Sequence, residues 1–277
     1  MADFERRREE FGERMRHLRE LAGLSGKDLA ESIGWARPKV SKLETGKQTA
    51  SRAELEVWLA ALLVPEPQAE ELRELLTAVH EDHVSWRQEV RAGLRAMQED
   101  MQEILDKATS IRIVDIGVVP GLLQTADYAR AILEAVARVH GGGDDVTEAV
   151  RTRMQNQQVL FSPGKTIDIL MTESAITQPV ASPGVMAGQI HRLIAAIGVP
   201  GVRFGILPTN RRLPYMLGNG WWLIDQMVMV ETVTRELRIT DPDEVEAYSA
   251  LTDQLWSVAV EGDDARALLA RVATELG

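Results

Sequence analysis

Apolar residues recur three and four positions apart through most of the first hundred residues, a spacing that predicts one helix after another. Phe11, Met15, Leu18 and Leu21 form the first stripe and place a helix over about Asp3 to Ala22. Leu29, Ala30 and Ile33 form the second, opened by Ser25 as N-cap with Asp28 three residues on as an imperfect capping box. Gly34 ends that helix where a left-handed backbone is expected, and the small Ala30 lets a following helix cross close by. The following helix, Arg37 to Glu44, sends Val40 and Leu43 inward and turns Arg37, Lys39, Ser41 and Lys42 outward. Pro38 falls in its first turn, where a missing N–H costs little, and Thr45-Gly46 stops it. Ser51 with Glu54 makes a second capping box, Leu55, Trp58, Leu59 and Leu62 close a small helical domain, and Pro65 and Pro67 mark its end.

From Ala69 to about Ala108 there is no proline and one glycine, and Val79, His83, Trp86, Val90, Leu94, Met97, Met101 and Ile104 follow nearly a heptad. A long helix is expected, with a break allowed near Glu81. Two roles stay open for it: pairing with its copy in a second subunit, or packing on its own C-terminal domain. Beyond it the periodicity alternates. Thr166 to Thr172, Val202 to Leu207, Trp221 to Ile224, Met227 to Thr232 and Glu236 to Ile239 read as strands. Thr125 to Ala137, Asp145 to Leu160, Pro183 to Ile197 and Pro242 to Val260 read as helices, with a flexible Gly141-Gly142-Gly143-Asp144-Asp145 connection between the first two. The predicted fold is α + α/β: a five-helix domain over residues 1–66, a helical linker and candidate dimerisation helix over 67–110, and a mixed α/β domain over 111–277.

The segment from Gly23 to Gly46 resembles the helix-turn-helix of the Xre and lambda-repressor superfamily, whose pattern runs through Gly23, Leu24, Ser25, Leu29, Ala30, Gly34, Ser41, Glu44 and Gly46. The resemblance implies that the helix from Arg37 enters the major groove of DNA, with Arg37 and Lys42 at guanine O6 and N7, Lys39 nearer the backbone, and Pro38, Ser41 and Lys47 in the same interface. Where the family has a phosphate-bracing Gln, this chain has Gly26 followed by Lys27, so the Gly26 backbone or the Lys27 ammonium is the implied substitute. A buried ion pair between Arg19 and Glu44 is also implied.

The competing view is a plain amphipathic hairpin whose cations form a solvated face, and charge bears on the choice. Residues 1–60 hold 12 Lys and Arg against 11 Asp and Glu, while the remainder holds 19 against 31, for a net charge of −11. Within residues 36–52, Arg37, Lys39, Lys42, Lys47 and Arg52 face only Glu44. An acidic body disfavours nonspecific DNA binding and leaves the local patch to supply it, with strong salt dependence.

A second resemblance covers most of the remaining chain. Val119-Pro120-Gly121-Leu122-Leu123-Gln124-Thr125 and Asp127-Tyr128-Ala129-Arg130 resemble the hallmark of a domain of unknown function that follows Xre-type domains in actinobacterial, antitoxin-like regulators, WhiJ being a relative. Arg153, Gln157, Leu160, Glu173, Ala175, Gln189, Leu207-Pro208, Val230-Glu231 and Asp253-Gln254-Leu255 extend it, and Asn156 and Thr172 depart from it. The resemblance implies a small acidic protein partner encoded beside this chain.

Other chemistry finds little footing. No Cys is present, which excludes disulfides, thiolate catalysis and zinc fingers, and suits a reducing cytoplasm. No export signal or run of 18 apolar residues occurs, so no membrane role and a cytoplasmic location are expected. Gly164-Lys165-Thr166 ends like a phosphate-binding loop but has Val159 in place of its first Gly and leads into a strand. His80 and His83 lack a third metal ligand, and nothing in the sequence brings Glu173 and Glu231 together as a catalytic pair. Of Trp221 and Trp222, which straddle a strand, one ring is expected in the core, while the other either packs there or lines a groove. No catalytic residue, cofactor or metal is therefore expected. The expected function is a homodimeric, sequence-specific transcription repressor binding double-stranded DNA, with a C-terminal domain that senses an effector or partner. The alternative is an antitoxin-like protein that neutralises a small partner, its DNA binding being autoregulatory.

Overall fold

Five helices precede the first strand in the computed structural model, which describes residues 2–85, 93–233 and 235–276. The chain divides into two units, Met1–Asp82 with Arg238–Ala247, and His83–Leu237 with Tyr248–Gly277. The first unit contains α1 (Ala2–Leu21), α2 (Gly26–Ser32), α3 (Arg37–Glu44), α4 (Arg52–Ala61) and α5 (Glu66–His80). One stripe from each helix meets in a shared core of Phe11, Met15, Leu29, Val40, Leu43, Leu55, Trp58, Leu72 and Leu76. Both expected caps are formed. The Ser25 hydroxyl accepts from the Asp28 N–H and the Asp28 carboxylate from the Ser25 N–H, and Ser51 and Glu54 repeat the exchange at α4. Each such cap is worth about 1 kcal/mol.

The expected helix over 69–108 is divided. α5 ends at His80, and Ala69, Leu72, Leu76 and Val79 all join the core of the first unit. A strand, β1 (Glu81–Ser85), follows, and Trp86 and Val90 lie outside the described residues. α6 (Leu94–Lys107) then starts afresh: Gly93 has φ 125°, and the Asp145 carboxylate accepts from the N–H groups of Leu94 and Arg95 at 3.2 and 2.8 Å. The apolar face of α6 is buried in its own unit, with Leu94 packed among Leu133, Ala137, Val146, Ala149 and Val150. The heptad-like spacing therefore belongs to two separate cores, each satisfying one half of the stripe.

In the second unit β2 (Ser110–Asp115), β3 (Thr166–Thr172) and β4 (Val202–Leu207) run parallel and adjacent. α7 (Ala126–His140), α8 (Val146–Asn156) and a 3-10 turn at Gln157–Phe161 connect the first pair, and α9 (Ser174–Thr177) and α10 (Pro183–Ala196) the second. β5 (Trp221–Ile224) pairs antiparallel with β2, β6 (Met227–Glu231) with β5, and β8 (Val260–Glu261) with β4. With β7 (Arg235–Ile239), the eight-stranded order is β1-β7-β6-β5-β2-β3-β4-β8. α11 (Pro242–Trp256) and α12 (Gly262–Leu276) complete the chain. β2, β8 and α12 carry no clear period in the sequence, and the helix expected to run to Val260 stops at Trp256 so that β8 can form. No helix among the described residues is long and apolar enough to cross a membrane.

Candidate nucleic-acid interface

α3 is eight residues long and begins without any side-chain cap, its N-cap being Ala36. At about 100° per residue, Arg37, Ser41, Pro38 and Lys42 fall within an arc of roughly 140°, and Val40 and Leu43 point the other way. The structure agrees: Arg37, Pro38, Ser41 and Lys42 are exposed, while Val40 and Leu43 are each 1% exposed. Gly34, at φ 70°, makes the reversal from α2 without the strain a side chain would bring, and the Trp35 N–H reaches back to the Ala30 carbonyl at 2.8 Å.

Two devices fix this helix from behind. Arg19 forks onto Glu44, with Nε 2.5 Å from Oε1 and Nη2 3.0 Å from Oε2, and its Nη1 donates to the Leu24 carbonyl at 2.7 Å. The bond to Glu44 raises Arg19 above its ordinary pKa, against the opposing pull of burial. One guanidinium thus ties α1, the turn after it and the end of α3. Gly12 is the second device, and sequence reading passed over it. A Cβ there would lie 2.6 Å from the Leu43 carbonyl oxygen and 2.8 Å from that of Glu44, so only glycine lets α1 press against the end of α3. Its signal was faint, a lone glycine inside a strong helical stripe.

Lys39 departs from expectation. It is half-buried, with Nζ 2.5 Å from Glu54 Oε1 and 4.4 Å from the centre of the Trp35 ring, so its charge is spent on holding α3 to α4. A lysine four residues after a tryptophan carried that signal, but the carboxylate came from a different helix. Lys47 is exposed just past α3, and Lys27 is exposed beside Glu31, 3.7 Å away. Gly26 is half-buried at the start of α2, where a Cβ would meet Val40 at an ordinary 3.7 Å, so no steric demand for glycine exists there.

In the second unit the remaining candidates separate. Glu173 and Glu231 lie at the ends of β3 and β6, three strands apart in the sheet. Burial pushes Glu173 up, but the N–H and hydroxyl of Thr209 at 2.8 and 3.0 Å, and Arg271 at 2.5 Å, outweigh it and leave the carboxyl below its usual range. Glu231 instead acts on Asp115, whose carboxyl is pushed up to about 8 by burial first and by the Glu231 charge second, with a bond from Trp222 opposing. Asp115 was not read from the sequence, because the strand that ends with it was not. Trp221 is the core ring, donating to the Thr252 hydroxyl at 3.0 Å, while Trp222 is only partly buried. Lys165 binds no phosphate loop: its ammonium donates to the carbonyls of Leu105 and Asp106 at 2.9 Å, and of Ala108, closing the end of α6. The side chains of His80 and His83 lie outside what is described.

The Val119–Thr125 stretch proves to be a braced loop. Gln124 donates to the Val119 carbonyl at 2.7 Å and accepts from Arg153 at 3.0 Å. Gln157 donates to the carbonyls of Gly121 and Gln124, Gln189 bridges the Leu123 carbonyl and Thr125 N–H, and the Tyr128 hydroxyl accepts from the Val119 N–H. Irregular backbone is buried here at low cost because glutamines replace the missing ladder.

A family profile described as helix-turn-helix domain matches residues 10–72, and one described as domain of unknown function, DUF5753, matches residues 98–271. No curated protein matches the chain. Among solved structures, TrmBL2, an archaeal chromatin protein described as showing a novel mode of DNA binding, is similar over 86% of this chain and 88% of its own, at 15% identity and a TM-score of 0.33.

Proposed function

The chain belongs to the DUF5753 family and carries a helix-turn-helix domain ahead of it, and from that premise we propose a sequence-specific transcription repressor whose second unit senses an effector or a protein partner. The observation that carries the reading is the exposed arc of Arg37, Pro38, Ser41 and Lys42 on a helix braced by Arg19–Glu44. Arg37 and Lys42 supply the forked and pointed donors that guanine O6 and N7 accept, Ser41 sits between them, and Lys47 and Lys27 meet phosphates beside the Gly26 backbone. An eight-residue helix reaches too few base pairs for useful specificity, so the active species is a homodimer reading two half-sites. It acts by binding and performs no catalysis.

Selection of binding sites from random DNA, followed by fluorescence anisotropy on the selected and a scrambled duplex, tests this. Arg37→Ala is expected to lose about 1–3 kcal/mol at one base position and relax the preference there, whereas Lys47→Ala weakens all duplexes alike and flattens the salt slope. Equal losses on both duplexes for both variants would refute the assignment. Growth rescue from a toxic neighbouring gene product, independent of any operator, would make the antitoxin role primary instead.

A further inference from the structure

A cleft of about 580 Å³ opens at the carboxyl ends of β2 and β3, a size typical of small-molecule sites and the end of a parallel sheet where ligands gather. Ile116 follows β2 into it, Thr172 and Ser174 flank the end of β3, and the segment from Leu213 to Leu217 supplies the rest of the lining. That segment is held at both ends. Before it, Thr209 is bound through its N–H and hydroxyl to Glu173. After it, Gly220 lies so close to the sheet that a Cβ would come within 2.6 Å of the Val114 carbonyl and 3.0 Å of the Asp115 carboxylate. Between those anchors Tyr215 is 62% and Met216 83% exposed. Large apolar groups left in water on a braced segment beside a cleft gain most from an occupant that covers them.

The cleft has one polar spot. The Thr172 and Ser174 hydroxyls lie 2.6 Å apart and 2.7 and 2.8 Å from the Ile116 carbonyl oxygen, so one proton spans the pair and the other goes to the carbonyl. A carbonyl only accepts, so the two protons are committed inside this triad and the hydroxyl oxygens keep only lone pairs to offer. No lining residue is charged. The spot therefore suits a neutral donor and has nothing to hold an anion.

We propose that this cleft binds a small, neutral, aromatic molecule bearing one N–H or O–H donor, and that it is the effector site of the regulator. Tyr215 and Met216 take the ring, with a thioether and an aromatic face as partners, and Thr172 and Ser174 receive the donor. The proposal rests on the reading of the second unit as the sensing part.

The test uses the full chain with 13C-labelled methionine methyl groups, the Met216 signal being identified by its loss in Met216→Leu. Indole, a neutral ring with one N–H, and 1-methylindole, the same ring without a donor, are titrated separately. Saturable movement of the Met216 signal is expected with both, and indole is expected to bind about fivefold tighter, the ratio one net hydrogen bond gives. Thr172→Val with Ser174→Ala should erase that ratio and keep 1-methylindole binding. If the double variant fails to fold, the ratio on the unaltered chain decides. A Met216 signal unmoved by either probe, or equal affinities for the two, overturns the site. Operator binding measured on the same sample separates the two ideas: its presence with no probe bound sinks only the cleft, and its absence with the probe bound sinks the repressor.

Discussion

Each unit sets an arginine among acidic groups, buried in the first and half-buried in the second, and they balance the charge differently. In the first, Arg19 is hydrogen-bonded to one carboxylate, Glu44, through two N–H groups, spends a third on a carbonyl, and has the exposed Glu20 carboxylate 3.7 Å away. In the second, Arg153 donates to two neutral amides, Gln98 at 2.9 Å and Gln124 at 3.0 Å, and feels the charges of both Asp115 and Glu231. Burial is the main influence on Arg153 and lowers it, while the two acids pull it back up. Beside Arg153, burial first and the Glu231 charge second push the Asp115 carboxyl up to about 8. The first arrangement serves to hold a helix still; the second makes the fold sensitive to protons.

The largest effect that breaks the comparison comes from removing Arg19. Arg19→Ala strands the Glu44 carboxylate, whose side chain is 10% exposed, and is expected to destabilise the first unit by about 3–5 kcal/mol. Hydrogen exchange of the α1 and α3 amides reads this without interference from the second unit. Changing both partners, Arg19→Met with Glu44→Leu, should return much of the loss, because no charge is left without its partner. Unchanged protection in the single variant would mean that Gly12 and the apolar core hold α3 unaided.

Asp115→Asn sharpens the same contrast. The unfolded chain ionises Asp115 near its ordinary 3.8, whereas the folded chain keeps the proton to about 8, so between those values the folded state holds one proton more. Stability of the second unit should fall as pH rises across that window, by at most about 1.4 kcal/mol per pH unit, and stop falling above it. Glu173 works the other way. Its lowered pKa gives stability that is present above the ordinary carboxylate value and lost as pH drops below it. Burial raises Asp168 in the same unit as well, so urea unfolding at pH 5, 6, 7 and 8 should show a shallower fall in the Asn variant than in the unaltered chain. A slope in the variant as steep as in the unaltered chain assigns the proton to another group.

These two networks also mark what was legible in the residue order. The recognition helix begins and ends at Arg37 and Glu44 as read, and the strands over 166–172, 202–207 and 221–224 keep their read limits, with Pro38, Gly46, Gly164, Gly201, Pro208 and Gly220 at or near six of the eight boundaries. The Arg19–Glu44 pair was reachable through resemblance. The Asp115 network was not, since it joins strands more than a hundred residues apart whose register appears only after β2 is placed beside β5. The helix over 69–108 does break near Glu81, where a break was allowed, but an unbroken apolar spacing says which side is buried, not that two cores bury its halves. Lys39 shows the limit at single-residue scale, where periodicity turned the side chain outward and a carboxylate on the next helix drew its tip back.

The smallest expected effect separates Lys39 from its neighbour Lys42. A lysine that neutralises a phosphate, or that meets a base edge close to the backbone, releases condensed counterions, so its loss lowers the slope of log affinity against log salt by about 0.9. Lys39 already has its carboxylate at 2.5 Å and its indole at 4.4 Å, and replacing it frees no counterion from DNA. Lys39→Ala is therefore expected to cost the first unit about 0.5–1 kcal/mol, the range of a partly exposed ion pair with a ring beneath it, and to weaken selected and scrambled duplexes by the same factor with the slope unchanged. Lys42→Ala, fully outside that arrangement, should leave stability alone and reduce the slope. If instead Lys39→Ala reduces the slope by as much as Lys42→Ala, then DNA draws the ammonium away from Glu54, and the tie between α3 and α4 is one that binding breaks.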